Sequence, residues 1–343
     1  MKTWTRVAIV GFVIVSALAF AEGPEQQFGS LGDFKLESGE LIRDCHMGYR
    51  TFGQINSEKS NIVIVPTWAT GTTAQMAGQF GPGKLVDTTK YYAIALDALG
   101  NRVSSSPSNS SLQPHMKFPK FTIRDLVNSQ YQWLTEVPHI RHVKAVIGAS
   151  MGGMQTFQWL VAYPDFMEKA IPIVGSPRLA PYDLLFWQTE QDAITSDPTW
   201  NPGGYTEQPA TTLAAELSHL VATTPERFNQ VNTWEQVAEV IARGKQSAAK
   251  IDANNHMRQD EAMMAQDVSA PFGGSIERAA RAARAKVLII SSATDHTVTP
   301  GPALDFAKLI HAQVLELANN CGHHAAECDG AKVNATVAAF LDQ

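Results

Sequence analysis

Cysteine is scarce in this chain: Cys45, Cys321 and Cys328 are the only three in 343 residues. So few cannot staple a small scaffold, and stability must come from a packed core. Charge is sparse too, at 17 % of residues. The net charge is -6 with no basic block, which leaves nucleic acid without an electrostatic footprint. Internal repeats and low-complexity tracts are missing, and long apolar runs are missing except at the amino end. What is plentiful is hydrophobic side chain, 44 % of the residues, enough for one large domain or two modest ones.

The exceptional run is a targeting signal. Lys2 and Arg6 precede an apolar stretch from Val7 to Phe20, and Ala19-Phe20-Ala21 supplies a small-residue cleavage site before Glu22. The run is short for a membrane span, which needs about 20 residues. No cysteine follows it for lipid attachment. Residues 1–21 are therefore expected to be a signal peptide, the mature protein to be periplasmic or secreted, and membrane association to end with cleavage. Export makes a disulfide possible. Cys321 and Cys328 lie close enough in sequence to pair, but pairing of Cys45 with either stays open.

Continuous β-branched and apolar runs at Ile62–Val65, Tyr91–Leu96 and Val143–Ile147 read as strands buried on both faces. Ala170–Val174, Val287–Ile290 and Val314–Leu317 complete the set. Helical patterns lie between them at Ile123–Leu134, Met154–Tyr163, Pro302–Ile310 and Lys332–Leu341. This alternation predicts an α/β fold, a mostly parallel sheet with helices on both faces. Phe34–Ile42 and His46–Phe52, joined near Arg43-Asp44, read as an antiparallel edge pair. Residues 177–284 break the rhythm. They hold amphipathic patterns at Leu213–Leu220, Trp234–Arg243 and Ala248–Met264, with Pro181, Pro198 and Pro202 breaking up the entry. The expected organisation is a core of residues 22–176 and 285–343 and a helical cap of residues 177–284.

Gly148-Ala149-Ser150-Met151-Gly152 follows a strand and opens a helix, the context in which G-x-S-x-G forms a nucleophile elbow. Ligands of such sheets bind outside the strands' carboxyl ends. Two further loops at such ends carry complementary groups. Ser291-Ser292-Ala293-Thr294-Asp295-His296 offers Asp295, and Ala318-Asn319-Asn320-Cys321-Gly322-His323-His324 offers two imidazoles, of which His323, directly after the glycine, is preferred. A serine hydroxyl needs a neutral imidazole to take its proton, and the imidazole needs a carboxylate to fix its tautomer. Ser150, Asp295 and His323 are thus the candidate catalytic residues, in the chain order of α/β-hydrolases. The oxyanion needs two N–H donors. Met151 is one candidate, and Trp68 or Ala69, in the loop after Ile62–Val65, is the other. Cys321, His323, His324 and Cys328 lack the tighter paired spacing of zinc sites, so no metal is expected there; a disulfide clamping the loop is the preferred use of the two cysteines. No cofactor motif is present.

The segments Phe121-Thr122-Ile123-Arg124-Asp125, Val146 to Gln155 and Tyr163-Pro164-Asp165 resemble the homoserine O-acetyltransferase family of α/β-hydrolases. So do Asp252-Ala253-Asn254-Asn255 and Ala262-Met263, and the likeness spans roughly residues 30–343. The resemblance implies the α/β-hydrolase fold, the triad Ser150, Asp295 and His323, and Met151 and Ala69 as oxyanion donors. There are departures. The family's base is normally followed by an aspartate that helps to hold the substrate amino acid, and His324 stands there instead. The loop Asp97 to Arg102 is less glycine-rich than the family's, and the cap is shorter in its arginine- and tyrosine-bearing part. His324 and Arg102 are the candidate substrate-binding residues.

The leading expectation is an exported serine hydrolase cleaving an ester or related acyl compound through an acyl-serine. The alternatives are acyl transfer from acyl-CoA to an alcohol such as homoserine, and a non-catalytic binding protein on the same scaffold. The partner is expected to be a small acyl compound, with oligomerisation open. Phe186, Trp187, Met263 and Met264 either line the pocket or pack the cap on the core.

Overall fold

The computed structural model describes residues 24–209 and 211–343. The expected signal segment lies outside them. Eight strands form one sheet: β1 (Gln27–Lys35), β2 (Leu41–Phe52), β3 (Ile62–Pro66), β4 (Tyr92–Leu96), β5 (Val143–Ala149), β6 (Met167–Ile173), β7 (Lys286–Ser292) and β8 (Gln313–Leu317). Their order is β1-β2-β4-β3-β5-β6-β7-β8. The first two pairings are antiparallel, and from β4 to β8 all are parallel. The eleven α-helices assigned among the described residues are α1 (Ile123–Glu136), α2 (Met151–Ala162), α3 (Pro181–Thr195), α4 (Thr212–Ala222), α5 (Pro225–Val231), α6 (Val237–Ala248), α7 (Ala253–Met264), α8 (Ile276–Ala282), α9 (Gly301–Ile310), α10 (Ala325–Cys328) and α11 (Gly330–Leu341).

The unbroken apolar strands are explained by the two layers that cover them. Ile62 and Ile64 of β3 pack with Phe157 and Leu160 of α2, Trp133 of α1 and Phe306 of α9. Val63 and Val65 point the other way, to Val333, Val337 and Phe340 of α11. Successive side chains leave a strand on opposite faces, so each run must be apolar throughout. Burying each large side chain contributes about 2 kcal/mol. The Phe121–Asp125 segment begins α1 with a capping box: Thr122 Oγ1 accepts the Asp125 N–H, and Asp125 Oδ2 accepts the Thr122 N–H.

Three expectations about elements are corrected. The amino-terminal hairpin turns at Leu36–Glu40, where Gly39 takes a positive φ of 89° and Leu36 N–H donates to Glu40 O, rather than at Arg43-Asp44. Asp44 adopts φ 49° inside β2, and its N–H is met by Asp33 Oδ1, so the strand continues past it. Pro181 does not break the entry to the cap; it sits in the first turn of α3, where a missing N–H costs nothing. The Ala248–Met264 pattern is two helices, because Asp252 caps α7 by accepting the Asn255 N–H and ends the run from α6.

Between β6 and β7, helices α3 to α7 rise beyond the sheet. Ala279 and Ala280 of α8 pack in the same core layer as Phe306 of α9. Among the described residues no helix is long and apolar enough to cross a membrane.

Candidate active site

Strand β5 delivers Ser150 and helix α2 leaves immediately after it. The turn holds Ser150 at φ 56°, ψ -122°, a sparsely populated conformation for a side-chain-bearing residue. Its flanks must be glycine. A Cβ on Gly148 would come 2.1 Å from the Gly152 carbonyl oxygen, and one on Gly152 would come 2.6 Å from that of Pro66. The elbow is sharp because strand and helix touch backbone to backbone.

The hydroxyl meets two other loops. His323 Nε2 lies 2.9 Å from Ser150 Oγ, and His323 Nδ1 lies 2.7 Å from Asp295 Oδ2. Asp295 is buried, and its Oδ1 accepts the N–H groups of Thr297 and Val298 at 2.8 and 3.0 Å. An ionised carboxylate only accepts, so Nδ1 carries the imidazole proton and Nε2 presents a lone pair to the serine O–H. The three residues chosen from sequence therefore form one continuous hydrogen-bonded chain.

The loop bearing His323 is held from several sides. Gly322 adopts φ 62°, and a Cβ there would press 2.8 Å from Ala222 O of the cap. Its N–H donates to Thr294 Oγ1, which in turn donates to Asn319 O, coupling the aspartate loop to the histidine loop. A Cys321–Cys328 disulfide closes the segment containing His323, leaving Cys45 free and buried. Of the pairings that spacing left open, the structure forms Cys321–Cys328.

A cavity of about 460 Å³ opens over Ser150 and His323. Trp68, Ala69, Phe186 and Trp187 line it, together with His324 and Glu327. Met151 lies beneath, its N–H at the first position of α2, where no intrahelical carbonyl is within reach. Met263 is packed in a core cluster, and Met264 does not line this cavity. Arg102 is not brought to it either. Positive φ angles at Gly100 and Arg102 turn that loop away, and the guanidinium donates to Lys250 O at 3.3 Å in a neighbouring groove. Trp68 lines both spaces.

Two groups were missed in the sequence. Glu327 is one: His324 Nδ1 lies 3.2 Å from Glu327 Oε2, one helical turn on. The hydrogen bond that His324 donates to the Glu327 carboxylate raises the His324 pKa above its ordinary value, and the same bond lowers that of Glu327. Gln259 of α7 is the other. Its Oε1 accepts the Thr70 N–H at 2.6 Å and its Nε2 donates to Leu99 O at 2.9 Å, so the cap grips the loop that carries Ala69. The Glu327 spacing from His324 was readable; Gln259, 189 residues from Thr70, left no local signal.

A strand–elbow–helix with aspartate and histidine supplied by later strands defines a class, and the chain belongs to the alpha/beta hydrolase fold family, whose model matches residues 61–327. Within that class it is homoserine O-acetyltransferase-like. The homoserine O-acetyltransferase of Methanosalsum zhilinae is 30 % identical to it, over 90 % of this chain and 71 % of that one. The ethyl acetate hydrolase of Pseudomonas veronii is 32 % identical, over 82 % of this chain and 84 % of its own. The crystal structure of an acetylester hydrolase from Corynebacterium glutamicum superposes with a TM-score of 0.88 at 26 % identity, covering 93 % of this chain and 96 % of that one.

Proposed function

We propose that this protein is an exported serine esterase that cleaves a short-chain acyl ester through an acyl-serine intermediate. The observation that carries the reading is the hydrogen-bonded chain Ser150–His323–Asp295 opening into a small cavity. Ser150 Oγ attacks the ester carbonyl carbon as His323 Nε2 takes its proton, and Asp295 stabilises the imidazolium. The oxyanion is received by the N–H groups of Met151 and Ala69, with Trp68 as the adjoining wall. The carbonyl re-forms, the alkoxide leaves, and the imidazolium returns the proton to it as free alcohol. Water, deprotonated by the same ring, then attacks the acyl-serine and releases the acid. Apolar rings of Phe186 and Trp187 suit a small acyl group, as the names of the two hydrolase relatives also suggest. Lys2, Arg6 and the apolar run to Ala21 support export, and a disulfide fits an oxidising compartment.

A second reading, acyl transfer from acyl-CoA to homoserine, is favoured by the transferase relatives. It requires the cavity to hold an amino acid's ammonium group. Glu327 is a carboxylate on the wall, but His324 already pairs with it.

The deciding experiment is an ester panel of increasing acyl length, run with and without acetyl-CoA and homoserine. Expected are free acid as product, a preference for the shortest acyl groups, and no activity in Ser150→Ala. O-acetylhomoserine as the main product would replace hydrolysis by transfer. Full activity in the alanine variant would end the serine mechanism. Failure of the folded protein to react with a fluorophosphonate would favour a binding protein.

A further inference from the structure

The cap encloses a second cluster of ionisable groups that ester chemistry does not use. Glu190 lies on α3, one turn beyond Phe186, whose ring lines the cavity. His256 and Asp260 lie four residues apart on α7, so their side chains share a helix face. Both carboxylates are fully buried. One donor atom from each of the three residues lies within 4.8 Å of the others.

These groups are close without being bonded to each other. His256 Nε2 is 3.5 Å from Asp260 Oδ1 and 3.7 Å from Glu190 Oε1. Neither is a hydrogen-bonding distance for such atoms. Ser218 donates to Glu190 Oε1. Among the described residues, no donor reaches Glu190 Oε2 or either oxygen of Asp260. Two carboxylates taken out of water, facing one another with most oxygens unpaired, are doubly unfavourable: they lose hydration and repel. A dication removes both penalties. Ligands about 2.1 Å from a tetrahedral ion stand about 3.4 Å apart, close to the two separations from His256 Nε2.

We propose that Glu190, His256 and Asp260 bind one divalent transition cation of the zinc or manganese class. One imidazole nitrogen with two carboxylates suits those ions, whereas calcium takes six or more oxygens. The ion ties α3 to α7. Through Ser218, which also lines the cavity, it braces the wall that carries Phe186 and Trp187. The sequence offered no zinc-type pair here, because the glutamate stands 66 positions before the histidine.

The test uses the full chain, purified without a polyhistidine tag and stripped with EDTA. It is titrated with Zn²⁺ and separately with Mn²⁺, and retained metal is measured by elemental analysis after gel filtration alongside thermal melting. The expected result is one equivalent of ion and a melting point several degrees higher when loaded. Asp260→Asn and His256→Gln are each expected to lose both responses. Asp260→Asn removes a buried charge, so its metal-free melting point should equal or exceed that of the stripped parent. Absence of retained ion in the parent, or unchanged retention in both variants, overturns the proposal. If the parent binds nothing while Asp260→Asn melts higher, the two acids share a proton and no metal site exists.

Discussion

His323 Nε2 stands 2.9 Å from Ser150 Oγ although 173 residues separate them in the chain. Parallel pairing makes this possible. Strands β5 to β8 run in one direction, so the loops leaving β5, β7 and β8 emerge at one edge of the sheet. The cap descends on that edge and meets the loops directly, with Thr224 Oγ1 donating to Asn320 O and Thr299 N–H donating to Asp183 Oδ1. The cavity is therefore a product of both parts, and residues far from the reacting atoms hold its dimensions.

Asp295→Asn is expected to lower kcat by ~10⁴-fold while leaving the fold intact. The reason lies in the backbone. Thr297 and Val298 both donate to Oδ1, so only an acceptor fits there. An asparagine must place its oxygen on those amides and its NH₂ towards His323 Nδ1. The imidazole then accepts at Nδ1 and carries its proton on Nε2, where it can no longer take one from Ser150. Steady-state kinetics with a matched circular dichroism spectrum check this; a loss below tenfold would mean that the carboxylate does not set the tautomer.

Gln259→Leu is expected to reduce kcat roughly 10-fold to 100-fold with little change in KM. The leucine keeps the volume but leaves the Thr70 N–H and the Leu99 carbonyl without their partner, at about 1–3 kcal/mol of stability for each buried group. If Ala69 receives the oxyanion as proposed, the loop bearing it then relaxes away from the developing charge. Because that contact strengthens only as charge forms, turnover suffers and ground-state binding does not. Equal kcat in the variant would show that the amide bridge serves the cap alone.

Much of this site was legible in the sequence because its signals are local. The elbow is written in two glycines whose Cβ would strike backbone, and Asp295 and Gly322-His323 lie in the loops that follow apolar strand runs. The sheet was legible for the same reason: burial on both faces demands uninterrupted apolar residues. What depended on tertiary contact was hidden. Pro181 reads as a breaker in isolation and becomes a helix starter once α3 has somewhere to pack. Arg102 looked available to substrate, but positive backbone angles in its own loop send it to Lys250 O. The amphipathic pattern over 248–264 concealed a break because Ala248 and Ala253 are both buried and fit either helix.

Reduction of the Cys321–Cys328 bridge is expected to cost about 2.5 kcal/mol, the entropy of a closed loop of roughly eight residues. His323 lies inside that loop. Activity should fall more steeply than stability, since the imidazole loses its fixed approach to Ser150 before the core unfolds. A Cys321→Ser/Cys328→Ser variant, assayed well below its melting temperature, separates the two effects; unchanged kcat would show that Thr294 and Gly322 hold the loop unaided. Cys45 serves as the control. Its thiol is buried and pushed up to about 12, so it should resist modification until the protein unfolds.

The His324–Glu327 pair gives stability a pH window with two edges. The glutamate raises the His324 pKa above 6.5, so the histidine's contribution is fully present below that value and is lost as pH rises through the raised one. The histidine lowers the Glu327 pKa below 4.5, so the carboxylate's contribution is present above that value and is lost as pH falls through the lowered one. Both hold together between about pH 4.5 and 6.5. Glu327→Gln should therefore melt below the parent most clearly near pH 5.5, the difference shrinking towards pH 9 and towards pH 3. The effect is small, since both side chains are substantially exposed, and 1 M salt should erase it. Melting curves across that range at two ionic strengths make the measurement. A deficit that survives at pH 9 or in high salt would locate the contribution of Glu327 in packing at the cavity wall and not in its charge.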